Sequence, residues 1–141
     1  MVGLILATHG HLADEMVHTA EQIVGKLAGV ETCSIEPGAS PEQIRDALKD
    51  AVHKADSGDG VIVLADLVGG TPCNQSLALC RQARLEVVTG VNLPMLIKAN
   101  SLRADSGLRL PDLALALTTY GQKNITCPTA MLREPAAARP H

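Results

Sequence analysis

Val61–Asn74, VIVLADLVGGTPCN, joins an apolar run to a carboxylate, two glycines and a helix start. Val61 to Ala65 run apolar without a break and stop on a carboxylate, Asp66. So short and so apolar a run predicts a strand buried on both faces, the habit of parallel sheets covered by helices. Gly69 and Gly70 then let the backbone bend and come close to a ligand. Thr71-Pro72 reads as a helix N-cap followed by the first helical residue, with the helix running from Pro72 to about Ala83.

The same unit recurs on both sides of this segment. Val2 to Thr8 (VGLILAT) is a second unbroken apolar run, and it breaks at His9-Gly10. Leu12, Met16, Ala20, Ile23 and Leu27 recur at spacings of three and four, which predicts an amphipathic helix ending near Gly29. Val30 to Ile35 alternates like a strand nearer a sheet edge. Ser40-Pro41-Glu42-Gln43 has the form of a capping box, and Ile44, Leu48, Ala51, Val52 and Ala55 form the apolar stripe of the helix that follows. Downstream, Leu85 to Thr89 is a fourth strand, and helices are expected near Leu93 to Asn100 and Leu110 to Tyr120. Strands alternating with helices call for a doubly wound α/β fold. The expected sheet is mainly parallel, in the order 2-1-3-4, with helices on both faces. Asn124 to Met131 carries β-branched residues and is a candidate C-terminal antiparallel strand, restricted by Pro128 to an edge or bend. Residues 1–128 are expected to form one domain and 129–141 a tail.

Composition narrows the function. The chain of 141 residues is 46% apolar and 19% charged, an ordinary globular balance. With 12 Lys+Arg against 15 Asp+Glu it lacks the basic footprint of a nucleic-acid binder. Tyr120 is the sole aromatic residue, so bases have no rings to stack on. No segment is long enough to span a bilayer and no signal peptide is evident, which points to the cytoplasm. Cys33, Cys73, Cys80 and Cys127 are scattered without a C-x-x-C pair, as in a reduced protein rather than a zinc site.

Two polar residues end apolar strands: His9 after the first and Asp66 after the third. Ligand sites in open α/β sheets form beyond the carboxyl ends of strands, where the strand order reverses. In the order 2-1-3-4 these two strands are neighbours, about 4.8 Å apart. A carboxylate accepting the imidazole N–H turns the ring's lone pair outward and stabilises the positive ring formed on attack. The pair thus has the makings of an activated nucleophile. Taken alone, each residue is more often a group that satisfies backbone at a strand end. The Gly69, Gly70, Thr71 turn supplies the complement: free N–H groups, a hydroxyl and a helix dipole that suit a phosphate. No Walker A motif is present. His9 and His11, with Asp66, leave a facial metal site open as a further reading, although further ligands are missing nearby. His18 and His53 fall on predicted helices as solvated residues.

VGLILATHGHLADEM, PGASPEQI, VIVLADLVGGTPCN and TGVNLPML resemble, in order, the mannose-family IIA component of the bacterial phosphoenolpyruvate-dependent sugar phosphotransferase system. The resemblance covers Val2 to about Tyr120. It implies a doubly wound domain whose histidine, His9 here, accepts phosphate from phospho-HPr (or a paralogue) and passes it to a IIB component. Asp66 matches the aspartate bonded to that histidine, and Thr71 the hydroxyl of the phosphate loop. The nitrogen facing away from Asp66, Nε2, is the implied acceptor. No cofactor or metal is implied, and contact with the membrane is only indirect, through a permease complex. The family is commonly a homodimer that exchanges a C-terminal strand, but the match weakens after Gly121. Val68 stands where the family commonly has phenylalanine. The sequence shows no IIB domain, so the acceptor is expected to be a separate protein. A phosphorylation-dependent regulatory module remains an alternative, as does the phosphocarrier subunit of a dihydroxyacetone kinase. The GGTPCN and GVNLPM loops fit the sugar-system branch better.

Overall fold

Strand alternation divides the core into two layers. In the computed structural model, which describes residues 1–67, 70–81, 83–104 and 107–133, the central strand is Gly3–His9 (β1). Its Leu4 and Leu6 enter one apolar cluster, while Ile5 and Ala7 enter the other. Val61–Ala65 (β3) repeats the division, with Ile62 and Leu64 on the first side and Val61 and Val63 on the second. Every one of these side chains is fully buried. Each Leu, Ile or Val so buried contributes about 1.5–3 kcal/mol, which is why unbroken apolar runs specify the two inner strands.

Val30–Ile35 (β2) and Leu85–Thr89 (β4) complete a four-stranded, all-parallel sheet in the order β2-β1-β3-β4. The expected order therefore holds, and the more polar β2 is an edge. Leu12–Val24 (α1), Leu93–Leu102 (α4) and Leu110–Lys123 (α5) supply residues to the first cluster. Pro41–Ala55 (α2) and Thr71–Leu79 (α3) cover the second. Gly3 shows how closely α2 approaches: a Cβ there would lie 2.3 Å from the Ala55 carbonyl oxygen.

The capping box predicted at Ser40 is present in both directions. Ser40 Oγ accepts the Gln43 N–H at 3.1 Å, and Gln43 Oε1 accepts the Ser40 N–H at 2.9 Å. Several boundaries differ from expectation. α1 stops at Val24 rather than near Gly29, because Gly25 takes φ 85, outside the helical region. Leu27 still reaches the core from the following loop, its N–H held by Glu21 Oε2 at 2.9 Å. α3 ends at Leu79 instead of Ala83; its last turn tightens, with the Cys80 N–H bonding the Leu77 carbonyl. α4 and α5 run two and three residues past the expected Asn100 and Tyr120.

The expected last strand across Asn124 to Met131 is corrected. Among the described residues that segment holds no strand, and Pro128–Leu132 forms a short helix (α6). Pro128 sits in its first turn, where the fixed φ and missing N–H cost nothing. α6 buries no residue, so nothing from the core draws this segment into the sheet.

Candidate functional site at the carboxyl edge of the sheet

β1 ends by sending successive side chains to opposite sides. Thr8 continues the Leu4–Leu6 face and is wholly buried. Its Oγ1 accepts the Ala13 N–H at 2.8 Å, capping α1, where His11 occupies the N-cap position without a side-chain bond. Gly10 then turns the chain at φ 57, a left-handed conformation that favours glycine. Its N–H bonds the Ile35 carbonyl at 2.9 Å, tying the turn to β2. His9 is thereby held between a capped helix and a tied turn.

β3 is the direct neighbour of β1 and delivers Asp66 beside His9. Asp66 Oδ2 accepts two bonds from His9: the backbone N–H at 2.9 Å and ring Nδ1 at 2.8 Å. Oδ1 accepts the Leu67 N–H at 2.9 Å. Burial pushes the Asp66 pKa up. The bonds from the His9 backbone, the His9 ring and Leu67 outweigh it and hold the carboxyl below its ordinary 3.8. Ionised, it can only accept. Nδ1 therefore carries the ring proton, and Nε2 presents its lone pair. The Asp66 side chain is 11% exposed and that of His9 50% exposed, so the carboxylate is shielded and the ring is half open.

Nε2 faces the start of α3. A Cβ built on Gly70 would lie 3.0 Å from His9 Cε1 and 3.7 Å from Nε2. Gly70 has φ −76, open to any residue, so glycine is needed here for space. Gly70, not Thr71, is the N-cap; Thr71 is the first helical residue, with Pro72 after it. The carbonyl of Gly70 accepts the Asn74 N–H at 2.9 Å. Among the described residues, the Thr71 and Cys73 N–H groups at this end have no acceptor, and no acidic residue sits in the first turn. Free N–H groups at a helix N-terminus suit an anion, and these lie beside the imidazole. The structure thus brings together His9, Asp66 and Gly70, with Thr71 following Gly70 as the first residue of α3; Gly69 and Val68 lie outside the described residues.

His11 turns elsewhere. It is exposed, with Nε2 3.5 Å from Glu36 and Nδ1 3.9 Å from Asp14. Asp14 is itself held by the hydroxyls of Thr32 at 2.6 Å and Ser34 at 2.7 Å; these bonds hold its carboxyl below the usual range. Among the described residues no group of three or more His, Cys, Asp or Glu is arranged to hold a metal. His18 and His53 are exposed on α1 and α2. Thr8 is the positioning residue that the sequence reading passed over. Its signal was a hydroxyl at the end of an apolar run, in phase with Leu4 and Leu6.

The family model described as the PTS system fructose IIA component matches residues 3–110. The chain belongs to that IIA family. Over 140 residues it is 31% identical to the mannose-specific EIIAB component of the PTS from Escherichia coli K12, covering 99% of this chain and 43% of that protein. The chain thus spans less than half the length of that relative. Among solved structures, it is similar to the mannose/sorbose-specific IIA subunit of the phosphotransferase system from Enterococcus faecalis. That likeness has a TM-score of 0.79 at 34% identity, over 89% of this chain and 93% of the other. The phosphotransferase component EIIA from Streptococcus agalactiae gives 0.84 at 29% identity, over 92% and 99%. No helix among the described residues is long and apolar enough to cross a membrane.

Proposed function

We propose that this IIA chain is a phosphocarrier of sugar uptake that takes phosphate from phospho-HPr, or a paralogue, on His9 and passes it to a IIB component. The 2.8 Å contact between His9 Nδ1 and Asp66 Oδ2 carries the reading. The Nε2 lone pair attacks the donor's phosphoryl group. As the bond between Nε2 and phosphorus forms, the bond from phosphorus to the donor atom breaks, and its electron pair leaves with the donor. The ring becomes positive, and the Asp66 carboxylate stabilises it through Nδ1–H without taking the proton. The phosphoryl oxygens face the Thr71 hydroxyl and N–H at the start of α3, together with Gly69 and Gly70. Transfer to the IIB nucleophile is the same exchange with His9 as the leaving group.

A protein donor suits the setting. His9 lies half open on the surface, and Leu12 (47% exposed) and Leu67 (59% exposed) next to it are apolar contacts for a docking partner. The carrier works in the cytoplasm, within residues 1–128, with no cofactor and with 129–141 as a tail. A homodimer is part of the proposal, and exposed Leu115, Ile125 and Leu132 are side chains that such a contact would cover. The test is incubation with phospho-HPr. Wild type should take up an acid-labile, base-stable phosphate, and His9→Ala should take up none; equal labelling of the variant overturns the assignment. Sedimentation as a monomer at the same concentration would remove the dimer from the proposal.

A further inference from the structure

The β2 border of the sheet is open. Among the described residues β2 has β1 on one side and no strand on the other. Gly29 and Ile35 turn their carbonyls to β1, accepting the Leu4 N–H at 3.0 Å and the Gly10 N–H at 2.9 Å. Alternate residues of a strand bond the same neighbour, so Glu31 and Cys33 share that side. Thr32 and Ser34 therefore send their backbone N–H and C=O groups to the free edge, where no hydrogen bond among the described residues reaches them. Native edges are commonly blunted by proline, a bulge or lysine. β2, VETCSI, has none of the three, and its six residues pair with β1 in unbroken register.

A groove of about 280 Å³ follows this edge between β2 and α2, and every residue lining it is described. Cys33, Ile35, Ala47 and Ala51 give it an apolar wall; Glu31, Asp50 and Lys54 are its charged groups. Lys54 is bound to Asp50 at 2.9 Å, which leaves Glu31 without a cation. The other basic side chains of α2 are turned elsewhere: Arg45 lies 4.0 Å from Asp46, and Lys49 lines the α3 side with Val52 and Leu79. On the α1 side of the strand, Asp14 holds the Thr32 and Ser34 hydroxyls, and Glu36 follows β2. His11 is the one basic side chain beside those two acids. The Cys33 thiol registers the negative field: burial, then Glu31, Asp50 and Asp14, push its pKa up to about 11, outweighing Lys54.

From the unpaired edge and the acids on both sides of it, we infer that β2 is a docking strand for a basic, extended segment of a partner protein. The segment lies along Val30–Ile35 as a fifth strand, its backbone bonded to Thr32 and Ser34. Its apolar side chains enter the groove, and its lysine or arginine side chains meet Asp14, Glu31 and Glu36. A second copy of this chain fits badly, because two β2 edges would set the same acids against each other. The Gly10 bond to Ile35 puts the end of this edge at the turn after His9, so a partner held there stands beside the phosphotransfer site. The docking itself does not depend on phosphotransfer through His9.

The test is titration of the unphosphorylated, ¹⁵N-labelled chain with three short peptides. One alternates valine and lysine, one alternates valine and glutamate, and the third is the valine–lysine peptide with every backbone nitrogen methylated. The valine–lysine peptide should bind saturably, with a dissociation constant of about 1 mM or tighter. It should move the amide signals of Thr32 and Ser34 and slow their hydrogen exchange, while leaving those of Glu86 and Val88 on β4 in place. The glutamate peptide lacks the charge and the methylated peptide lacks the donors, so neither should saturate. The double variant Glu31→Gln, Glu36→Gln should weaken binding by about fivefold with an unchanged melting temperature. The inference is overturned if either control peptide binds as tightly, if β4 responds as strongly as β2, if the double variant binds as wild type does, or if nothing saturates. Shifts at Thr32 and Ser34 that grow with the concentration of the chain alone would also overturn it, in favour of a second copy.

Discussion

Replacing Asp66 with asparagine removes a charge while keeping the shape of the side chain. In the wild type one oxygen accepts two N–H groups of His9, at 2.9 and 2.8 Å, and the other accepts Leu67 N–H at 2.9 Å. An amide has one accepting oxygen and one donating nitrogen. If its oxygen faces His9, its NH₂ meets the Leu67 N–H, donor against donor. If its oxygen faces Leu67, its NH₂ meets the His9 backbone N–H. Ring Nδ1 must then accept, which moves the ring proton onto Nε2 and blocks the nucleophile. In either orientation the negative partner of the positive ring is gone. A hydrogen bond to a charged group is worth about 1.5–3 kcal/mol, or roughly a 10- to 140-fold change in rate. The half-open ring places the expected loss toward the lower end. Rapid-quench measurement of phosphate uptake from phospho-HPr gives the rate. The ¹⁵N signals of the imidazole give the tautomer, which should be Nδ1–H in wild type and shifted toward Nε2–H in Asp66→Asn. A variant transferring within twofold of wild type, with its tautomer unchanged, would refute the reasoning.

Gly70→Ala places a methyl 3.0 Å from His9 Cε1, so the ring must give way by a few tenths of an ångström. Transfer should slow by about tenfold through lost alignment, with the melting temperature nearly unchanged; unaltered transfer kinetics would show that the ring tolerates the shift. Thr8→Val keeps the volume but deletes the buried cap on the Ala13 N–H, so unfolding in urea should show a loss of about 1–2 kcal/mol. Stability equal to wild type would mean that another group caps α1. Acid should weaken the His9–Asp66 pair. The native Asp66 pKa is depressed, so its stabilisation is complete above the ordinary carboxylate value of 3.8 and is lost as pH falls through the lower native value. The wild type should therefore lose more stability than Asp66→Asn between about pH 5 and pH 2, and parallel profiles would contradict this.

Much of the fold was legible because burial is written into the strands as composition. Val61–Ala65 and the run that became β1 have no polar face, so they could only be inner strands, and the two more mixed strands fell at the edges. The capping box at Ser40 was readable to the residue because its signals are local. Helix ends were less so. Leu27 matched the helical period of α1, yet a left-handed Gly25 ends the helix and Leu27 reaches the core from a loop. The Asn124–Met131 segment misled for the opposite reason: β-branched residues suggested a strand, but among the described residues no partner strand or core contact enforces one, and Pro128 starts a helical turn. At the site, the meeting of His9 and Asp66 followed from topology. The role of Gly70 as cap and spacer did not, because it depends on where the imidazole ring lies once both strands are in place.

Phosphotransfer by this chain turns on one atom, His9 Nε2. Phosphorylate the ¹⁵N-histidine-labelled chain with phospho-HPr, and read the phosphorus–nitrogen coupling by NMR at alkaline pH together with the modified residue by mass spectrometry. A single phosphate is expected on Nε2 of His9, with Nδ1 still protonated and bonded to Asp66. Phosphate on Nδ1 of His9, or on His11 in its place, would contradict it.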